Sequence, residues 1–170
     1  EYRMNNIAEK IEHNKCVGCK ACEDICPLNA IKFCEDEEGF DYPTVDDKKC
    51  VDCGKCLNVC PLNIKAKPMK DEPRCFSAWS KSDEVRNEST SGGFFYELAQ
   101  LIMEDGGIVI GAKYSEDYKR IYHTEATNIE ELKSLRGSKY AQSDTSGIFK
   151  KIEEYLKKER MVLFAGTPCQ

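Results

Sequence analysis

Cys16-Val17-Gly18-Cys19-Lys20-Ala21-Cys22-Glu23-Asp24-Ile25-Cys26-Pro27 is matched further along the chain by Cys50-Val51-Asp52-Cys53-Gly54-Lys55-Cys56-Leu57-Asn58-Val59-Cys60-Pro61. We call these stretches the first copy and the second copy; the offset between them is 34 residues throughout. Each copy is typical of a tight cysteine-bearing loop followed by a short helix that ends before proline, because proline disfavours a helical residue in front of it. The chain therefore contains a duplicated unit with four closely spaced cysteines in each half.

The spacing of both copies, C-x2-C-x2-C-x3-C-P, is that of the bacterial ferredoxin run, in which the fourth cysteine ligates the other cluster. It predicts two 4Fe–4S clusters. One is held by Cys16, Cys19, Cys22 and Cys60, and the other by Cys50, Cys53, Cys56 and Cys26. Zinc is the alternative, since four cysteines also suit zinc, but zinc sites usually use two C-x-x-C pairs separated by a longer loop. The compact spacing, repeated with its proline, favours iron–sulfur.

Composition and charge narrow the class of protein. The chain has 170 residues, a net charge of −5 and a mean hydropathy of −0.58, so it lacks the basic footprint of a nucleic-acid-binding protein. No apolar run approaches the roughly 18 residues that a membrane span needs. Residues 1–6 lack the charged-then-apolar pattern of an export signal. We therefore expect a cytoplasmic protein whose eleven cysteines act mainly as ligands rather than in disulfides.

Three cysteines lie outside the two copies. Cys34 follows a predicted strand and Cys75 follows a predicted linker; for both we expect a small, half-buried thiol. Cys169 lies in a turn after an apolar strand, where α/β folds place ligands. We expect it either to ligate a further cluster together with cysteines beyond Gln170, or to line a cofactor pocket.

The pattern along the chain predicts an α+β protein with two domains. Residues 1–67 are expected to form a two-cluster ferredoxin-like domain, and residues 74–170 part of an α/β flavin-type domain that continues beyond Gln170. The predicted elements are hairpin strands 30–33 and 40–45, a linker 61–73, a short strand 76–80, a helix 94–104, antiparallel strands 107–114 and 120–126, a helix 148–160 and a strand 161–165.

Four stretches of the second region carry a resemblance to a known family. They are AWSKSDEVR (78–86), STSGGFF (89–95), LRGSKYAQSD (135–144) and LFAGTPCQ (163–170). In this order, and after a ferredoxin repeat, they resemble the coenzyme F-420 hydrogenase/dehydrogenase β-subunit family. The resemblance implies an iron–sulfur protein that also binds a flavin, usually FAD. Such a protein moves electrons between its clusters and a hydride carrier, such as a deazaflavin, or another substrate.

The same resemblance points to a flavin site, and the residue types fit one. Ser91, Gly92 and Gly93 precede a predicted helix, whose free N–H groups suit a phosphate. Arg136, Ser138 and Lys139 flank a glycine and offer two cations and a hydroxyl. The further candidates are Tyr140, which could stack on a ring system, and Cys169.

Each of these features also has an ordinary structural explanation. The serine and glycine residues can form a helix N-cap without a ligand, and the loop around Gly137 can be a solvated basic loop. Tyr140 can be a core residue. His13 is expected at the surface, and His123 is expected to be structural on its strand.

Three functions remain after the sequence analysis. The favoured one is an electron-transferring iron–sulfur oxidoreductase that depends on a flavin and works with a redox partner protein or subunit. The second is a ferredoxin-type electron-transfer module that docks to a partner subunit without a flavin. The third is a structural or interaction protein that uses zinc.

Overall fold

The computed structural model describes residues 5–64 and 72–170, which divide into two compact units. The first unit comprises Glu1–Lys67, Thr145–Lys150 and Thr167–Gln170, and the second comprises Pro68–Asp144 and Lys151–Gly166. Most of the predicted linker 61–73 lies outside the described residues. The domain limits 1–67 and 74–170 stay a prediction.

The first unit is built around a two-stranded antiparallel hairpin. Its strands are β1 (Ile31–Glu35) and β2 (Asp41–Val45), with Ile31 opposite Val45. The helical elements are α1 (Ile7–Lys10), a 3-10 turn (His13–Lys15), α2 (Ala21–Asp24) and α3 (Lys55–Val59). The hairpin and the short helix in each copy are thereby confirmed. His13 is exposed, as expected, and its ring stacks on that of Tyr42.

The two copies share a left-handed residue immediately before the helix. Lys20 has φ 58° before α2, and Gly54 has φ 70° before α3. Glycine is the natural choice at the second position, because a Cβ there would lie 2.6 Å from the Asn5 side-chain nitrogen. Lys20 adopts the same conformation with its ammonium 2.9 Å from the Asp41 carboxylate. The repeat in sequence is therefore a repeat in backbone geometry.

The second unit contains a three-stranded sheet of order β4-β3-β5. The strands are β3 (Ile108–Tyr114), β4 (Ile121–Ala126), which is antiparallel to β3, and β5 (Val162–Phe164), which is parallel to it. The helices are α4 (Asp83–Asn87), α5 (Phe94–Glu104), α6 (Ile129–Leu135) and α7 (Ile148–Lys157), whose first turn belongs to the first unit. Ile108, Val109 and Ile110 are completely or almost completely buried, because the central strand is covered.

The α+β class is confirmed, as are helix 94–104 and the antiparallel pair of strands. The predicted strand 76–80 is wrong. This stretch is irregular, its Phe76 and Trp79 side chains are exposed, and the Ser80 N–H donates to the Gly92 carbonyl oxygen. An aromatic-rich stretch favours a strand only where a neighbouring strand supplies hydrogen bonds. The helices α1, α4 and α6 were not predicted from the sequence, because helices this short have too few turns to show a hydrophobic periodicity.

His123 is a structural residue of the second unit, as expected. It is 5% exposed on β4, its Nδ1 lies 2.8 Å from the Ser143 hydroxyl, and its Nε2 lies 3.0 Å from the Ala165 carbonyl oxygen. A carbonyl only accepts, so the Nε2–H donates to Ala165 and Nδ1 accepts from Ser143. Burial lowers the pKa of His123, although the hydrogen bond to Ala165 opposes the shift. The folded unit therefore holds a neutral imidazole.

We predict that the free energy of unfolding of the second unit falls as pH drops below about 6.5. The unfolded chain takes up a proton at the ordinary histidine pKa, whereas folded His123 takes it up only at lower pH. Imidazole resonances followed by NMR between pH 8 and 5 test this, with His123→Gln identifying the signal. A His123 signal that titrates at or above pH 6.5 would contradict the prediction.

Candidate functional site

The cysteines of the first copy meet a cysteine of the second. We call Cys16, Cys19, Cys22 and Cys60 the first thiol group. Burial raises the pKa of Cys22 to about 12, and the nearby Cys19 and Cys16 thiols add to the effect, followed by Cys56 and Cys60. Burial also raises the pKa of Cys16 and of Cys19, and Cys60 contributes to both shifts. Cys60 therefore lies beside the three cysteines of the other copy.

The second thiol group, Cys50, Cys53, Cys56 and Cys26, lines a single cavity. Cys26 reaches it from the first copy, and its sulfur accepts a hydrogen bond from the Ala30 N–H at 3.3 Å. The remaining lining includes the apolar side chains of Leu28, Ile31 and Val51. Four thiols with an apolar surround match the donor set of a 4Fe–4S cluster.

Backbone N–H groups point at several of these sulfurs. Hydrogen bonds from Gly18 to Cys16 and from Ala21 to Cys19 lower each pKa, against the stronger effect of burial. The Ile7 N–H acts in the same way on Cys56. Such donors stabilise negative charge on sulfur, which is the form that binds iron. The contribution of Ile7 was missed from the sequence, because α1 lies outside the cysteine pattern.

The geometry differs from that of a mononuclear metal site. Within residues 5–64 and 72–170, no three His, Cys, Asp or Glu side chains converge so as to hold one metal ion. Zinc needs four thiolates about 2.3 Å from a common point. A 4Fe–4S cluster instead spreads its four cysteines over four irons, so the donors stand further apart. The choice of the cluster over zinc therefore rests on the spacing of both copies and on their repeated proline.

The three remaining cysteines occupy different environments. Cys34 and Cys75 are exposed, so the expectation of half-buried thiols is wrong for both: Cys34 lies on a two-stranded hairpin too small to cover it. Cys169 is half-buried, and its sulfur lies 3.2 Å from the Thr167 hydroxyl. It belongs to the first compact unit, where its thiol contributes to raising the pKa of Cys19. A ligand role for Cys169 stays a prediction.

The second unit has a cleft of about 180 Å³ at the N-terminus of α5. The residues that line it are Ala78, Ser89, Thr90, Ser91, Gly92, Gly93, Phe94, Phe95, Tyr96, Arg136 and Gly137. No side chain caps this helix, whose preceding Gly93 has φ 81°. A Cβ on Gly92 would lie 2.6 Å from the Ala78 carbonyl oxygen, so only glycine fits there. The free N–H groups of the first turn of α5 suit an anion.

Arg136 supplies the positive charge of this cleft. Its side chain is 8% exposed, and its guanidinium pairs with the Glu88 carboxylate at 2.5 Å. It also donates to the Val85 carbonyl oxygen and the Ser89 hydroxyl, and lies over the Tyr96 ring. Its Nε is buried and has no hydrogen-bond partner among the described residues. The guanidinium of Arg136 therefore has one donor without a partner among the described residues.

The cleft brings together only some of the predicted flavin residues. Ser91, Gly92, Gly93 and Arg136 line it. Ser138 is outside the lining, although its hydroxyl lies 3.2 Å from that of Thr90. Lys139 donates to the Leu135 and Arg136 carbonyl oxygens at the end of α6, and burial lowers its pKa. Tyr140 is 95% exposed, so it is not a core residue.

Two family models match the chain, one in each of its two parts. Residues 15–64 match the 4Fe-4S dicluster domain. Residues 75–150 match the family described as coenzyme F420 hydrogenase/dehydrogenase, beta subunit N-term. A search of curated proteins found no match. Among the described residues, no helix has the length and apolar character needed to cross a membrane.

We predict that Cys60→Ala and Cys26→Ala each remove one cluster, and that the clusters removed are different ones. Iron per chain should fall from about eight to about four in either variant, since each cluster holds four irons. Cys60→Ala should leave the second thiol group loaded, and Cys26→Ala the first. Iron and sulfide analysis together with EPR of the reduced protein distinguishes the two.

Cys34→Ala is the matched control, because Cys34 is an exposed thiol in the same unit. It should retain the wild-type iron content. Loss of all iron in Cys60→Ala, or loss of iron in the control, would contradict the crossed assignment. Stoichiometric zinc without sulfide in the wild type would contradict the cluster itself.

Proposed function

Because the chain is a 4Fe–4S dicluster domain followed by a coenzyme F420 hydrogenase/dehydrogenase β-subunit N-terminal domain, we propose that it relays electrons between a redox partner and a flavin. The observation that carries this proposal is the crossing of cysteines between the two copies, which brings two thiol groups together in one compact unit. Iron–sulfur electron transfer is the shared chemistry of the matched families. The flavin, its substrate and the partner are the proposed parts.

The two thiol groups are neighbours, which supports a relay. The Cys56 thiol of the second group is among those that raise the pKa of Cys22 in the first. Each bound cluster takes up or releases one electron at a time. The protein's own contribution is to keep both groups within the same small core, which contains Ile7, Ile31 and Leu57. This core excludes water and fixes the separation between the groups.

The surroundings of the two groups support an order for the relay. In the second group, Cys53 is exposed, and the exposed Leu28 and Val51 line the same cavity. In the first group, Cys19, Cys22 and Cys60 are buried. Two segments that the chain connects to the second unit, residues 145–150 and 167–170, belong to the first unit. Both lie near Cys19: the Thr145 hydroxyl donates to its carbonyl oxygen, and the Cys169 thiol contributes to raising its pKa. A redox partner would therefore exchange electrons with the second group.

The cleft in the second unit supports a flavin phosphate site. Its volume of about 180 Å³ is below the roughly 300–1,000 Å³ of ordinary ligand pockets, so it suits one part of a cofactor. The free N–H groups of α5, together with Arg136 Nε, would bind a diphosphate. The isoalloxazine ring would have to lie elsewhere.

One observation favours the alternative of an electron-transfer module without flavin. The guanidinium of Arg136 is already paired with Glu88, so its charge is largely neutralised before any anion arrives. Without a flavin, the second domain would serve as a docking site for a partner subunit. The alternative predicts two clusters, electron exchange with a partner and no bound flavin.

We predict that Arg136→Gln weakens binding of FAD, and of inorganic pyrophosphate as a probe of the cleft, by about tenfold, a loss of roughly 1.4 kcal/mol. The variant removes both the charge and the Nε–H that the cleft offers. Gly92→Ala should weaken binding similarly, because its methyl group collides with the Ala78 carbonyl. Calorimetry on the cluster-loaded protein measures both affinities.

Lys133→Gln is the matched control, since Lys133 is a half-exposed cation on α6 outside the cleft. It should bind both probes like the wild type. If the wild-type protein holds two clusters but binds no flavin, the proposed flavin relay is wrong and the electron-transfer module takes its place. Equal FAD affinity in the Arg136 variant and the wild type would place the flavin outside the cleft.

A further inference from the structure

Asp24 is a buried carboxylate inside the first copy, between Cys22 and Cys26, and it is 6% exposed. One carboxylate oxygen accepts the Gly147 N–H at 2.8 Å and the other accepts the Phe149 N–H at 2.9 Å. These donors lie at the start of α7, within residues 145–150 of the first compact unit. The last residue of α2 therefore caps a helix that begins more than a hundred residues later.

Thr145 makes the reciprocal contact from the same segment. It is completely buried, and its hydroxyl donates to the Cys19 carbonyl oxygen at 2.9 Å. Lys150 adds a hydrogen bond to the Asn29 side chain at 3.3 Å. The segment 145–150 therefore holds the loop of the first copy at Cys19 and at Asp24.

The second copy differs from the first at both positions. The position that corresponds to Asp24 is Asn58, which is uncharged and exposed. The position that corresponds to Cys19 is Cys53, which is also exposed. The second copy has a carboxylate at a different place, since Asp52 Oδ1 lies 3.8 Å from the Cys50 sulfur. The effect of Asp24 therefore concerns the first cluster alone.

We propose that Asp24 lowers the reduction potential of the first cluster and that Thr145 is the residue that positions the Cys19 loop beside it. This proposal rests on the proposed function, since it requires both clusters. A fixed negative charge next to a cluster disfavours the addition of an electron and lowers its reduction potential, and burial away from water acts in the same direction. The Thr145 hydroxyl keeps the Cys19 loop in the position where that charge acts on it.

The N-terminus of α7 opposes this effect but does not cancel it. A helix N-terminus is equivalent to about half a positive charge, whereas the carboxylate carries a full negative charge. The sum at Asp24 is therefore negative.

The test is a redox titration followed by EPR on the cluster-loaded chain, with iron content measured in parallel. Asp24→Asn should raise one of the two potentials and leave the other unchanged. Asn58→Asp is the matched variant and should lower that other potential, by less, because water screens an exposed charge. Thr145→Val should release iron from the first cluster several-fold faster under a chelator, whereas Thr145→Ser should behave like the wild type.

A residue that only supported the fold would change iron content or retention, and the two potentials would not move. Asp24→Asn with eight irons and wild-type potentials therefore overturns the proposal. If Asp24→Asn keeps only the second cluster, Asn58→Asp is the deciding variant, and two unchanged potentials in it overturn the proposal. Wild-type protein without two clusters would defeat the proposed function instead, which is a separate outcome.

Discussion

The first unit depends on one packing constraint: Cys60 of the second copy lies beside the cysteines of the first, and Cys26 of the first lies among those of the second. α2 and α3 have to pack together for Cys60 to reach Cys22 and for Cys26 to reach the second thiol group. The left-handed residues Lys20 and Gly54 turn the chain at the same point in each copy. Without this pairing, neither copy has a complete set of donors.

The same constraint ties metal binding to folding. Cysteines 22, 56 and 60 belong to the buried core of the first unit, beside Ile31 and Leu57. Burial raises the pKa of Cys22 to about 12, so the protein without iron holds a neutral thiol there. Thiolate is the form that binds iron, and cluster insertion must therefore release protons. A bound cluster would replace the buried neutral thiols by thiolate ligands, and these would fasten the two copies to each other.

In the second unit, the buried cation Arg136 is already paired with a carboxylate of the protein. Arg136 is buried by its contacts with Glu88, Val85 and Tyr96, so the cleft is rigid before any ligand arrives. Such preorganisation lowers the entropy cost of binding, but an anion must compete with Glu88 for the guanidinium. Lys139 was an equally good candidate in the sequence. Its ammonium instead satisfies the last carbonyl groups of α6.

The sequence by itself determined the repeated cysteine spacing, the hairpin between the two copies, helix 94–104 and the central strands, because each follows from spacing or period within a few residues. It could not show that Cys34 and Cys75 are exposed, or that the stretch 76–80 is irregular, since both depend on which neighbours cover them. Only the tertiary structure decided the partners of Asp24 and Thr145, which lie more than a hundred residues away along the chain. The physical reason is that ligand spacing is a local property of the backbone. The charge and burial around a ligand are set by segments that the fold brings in from elsewhere.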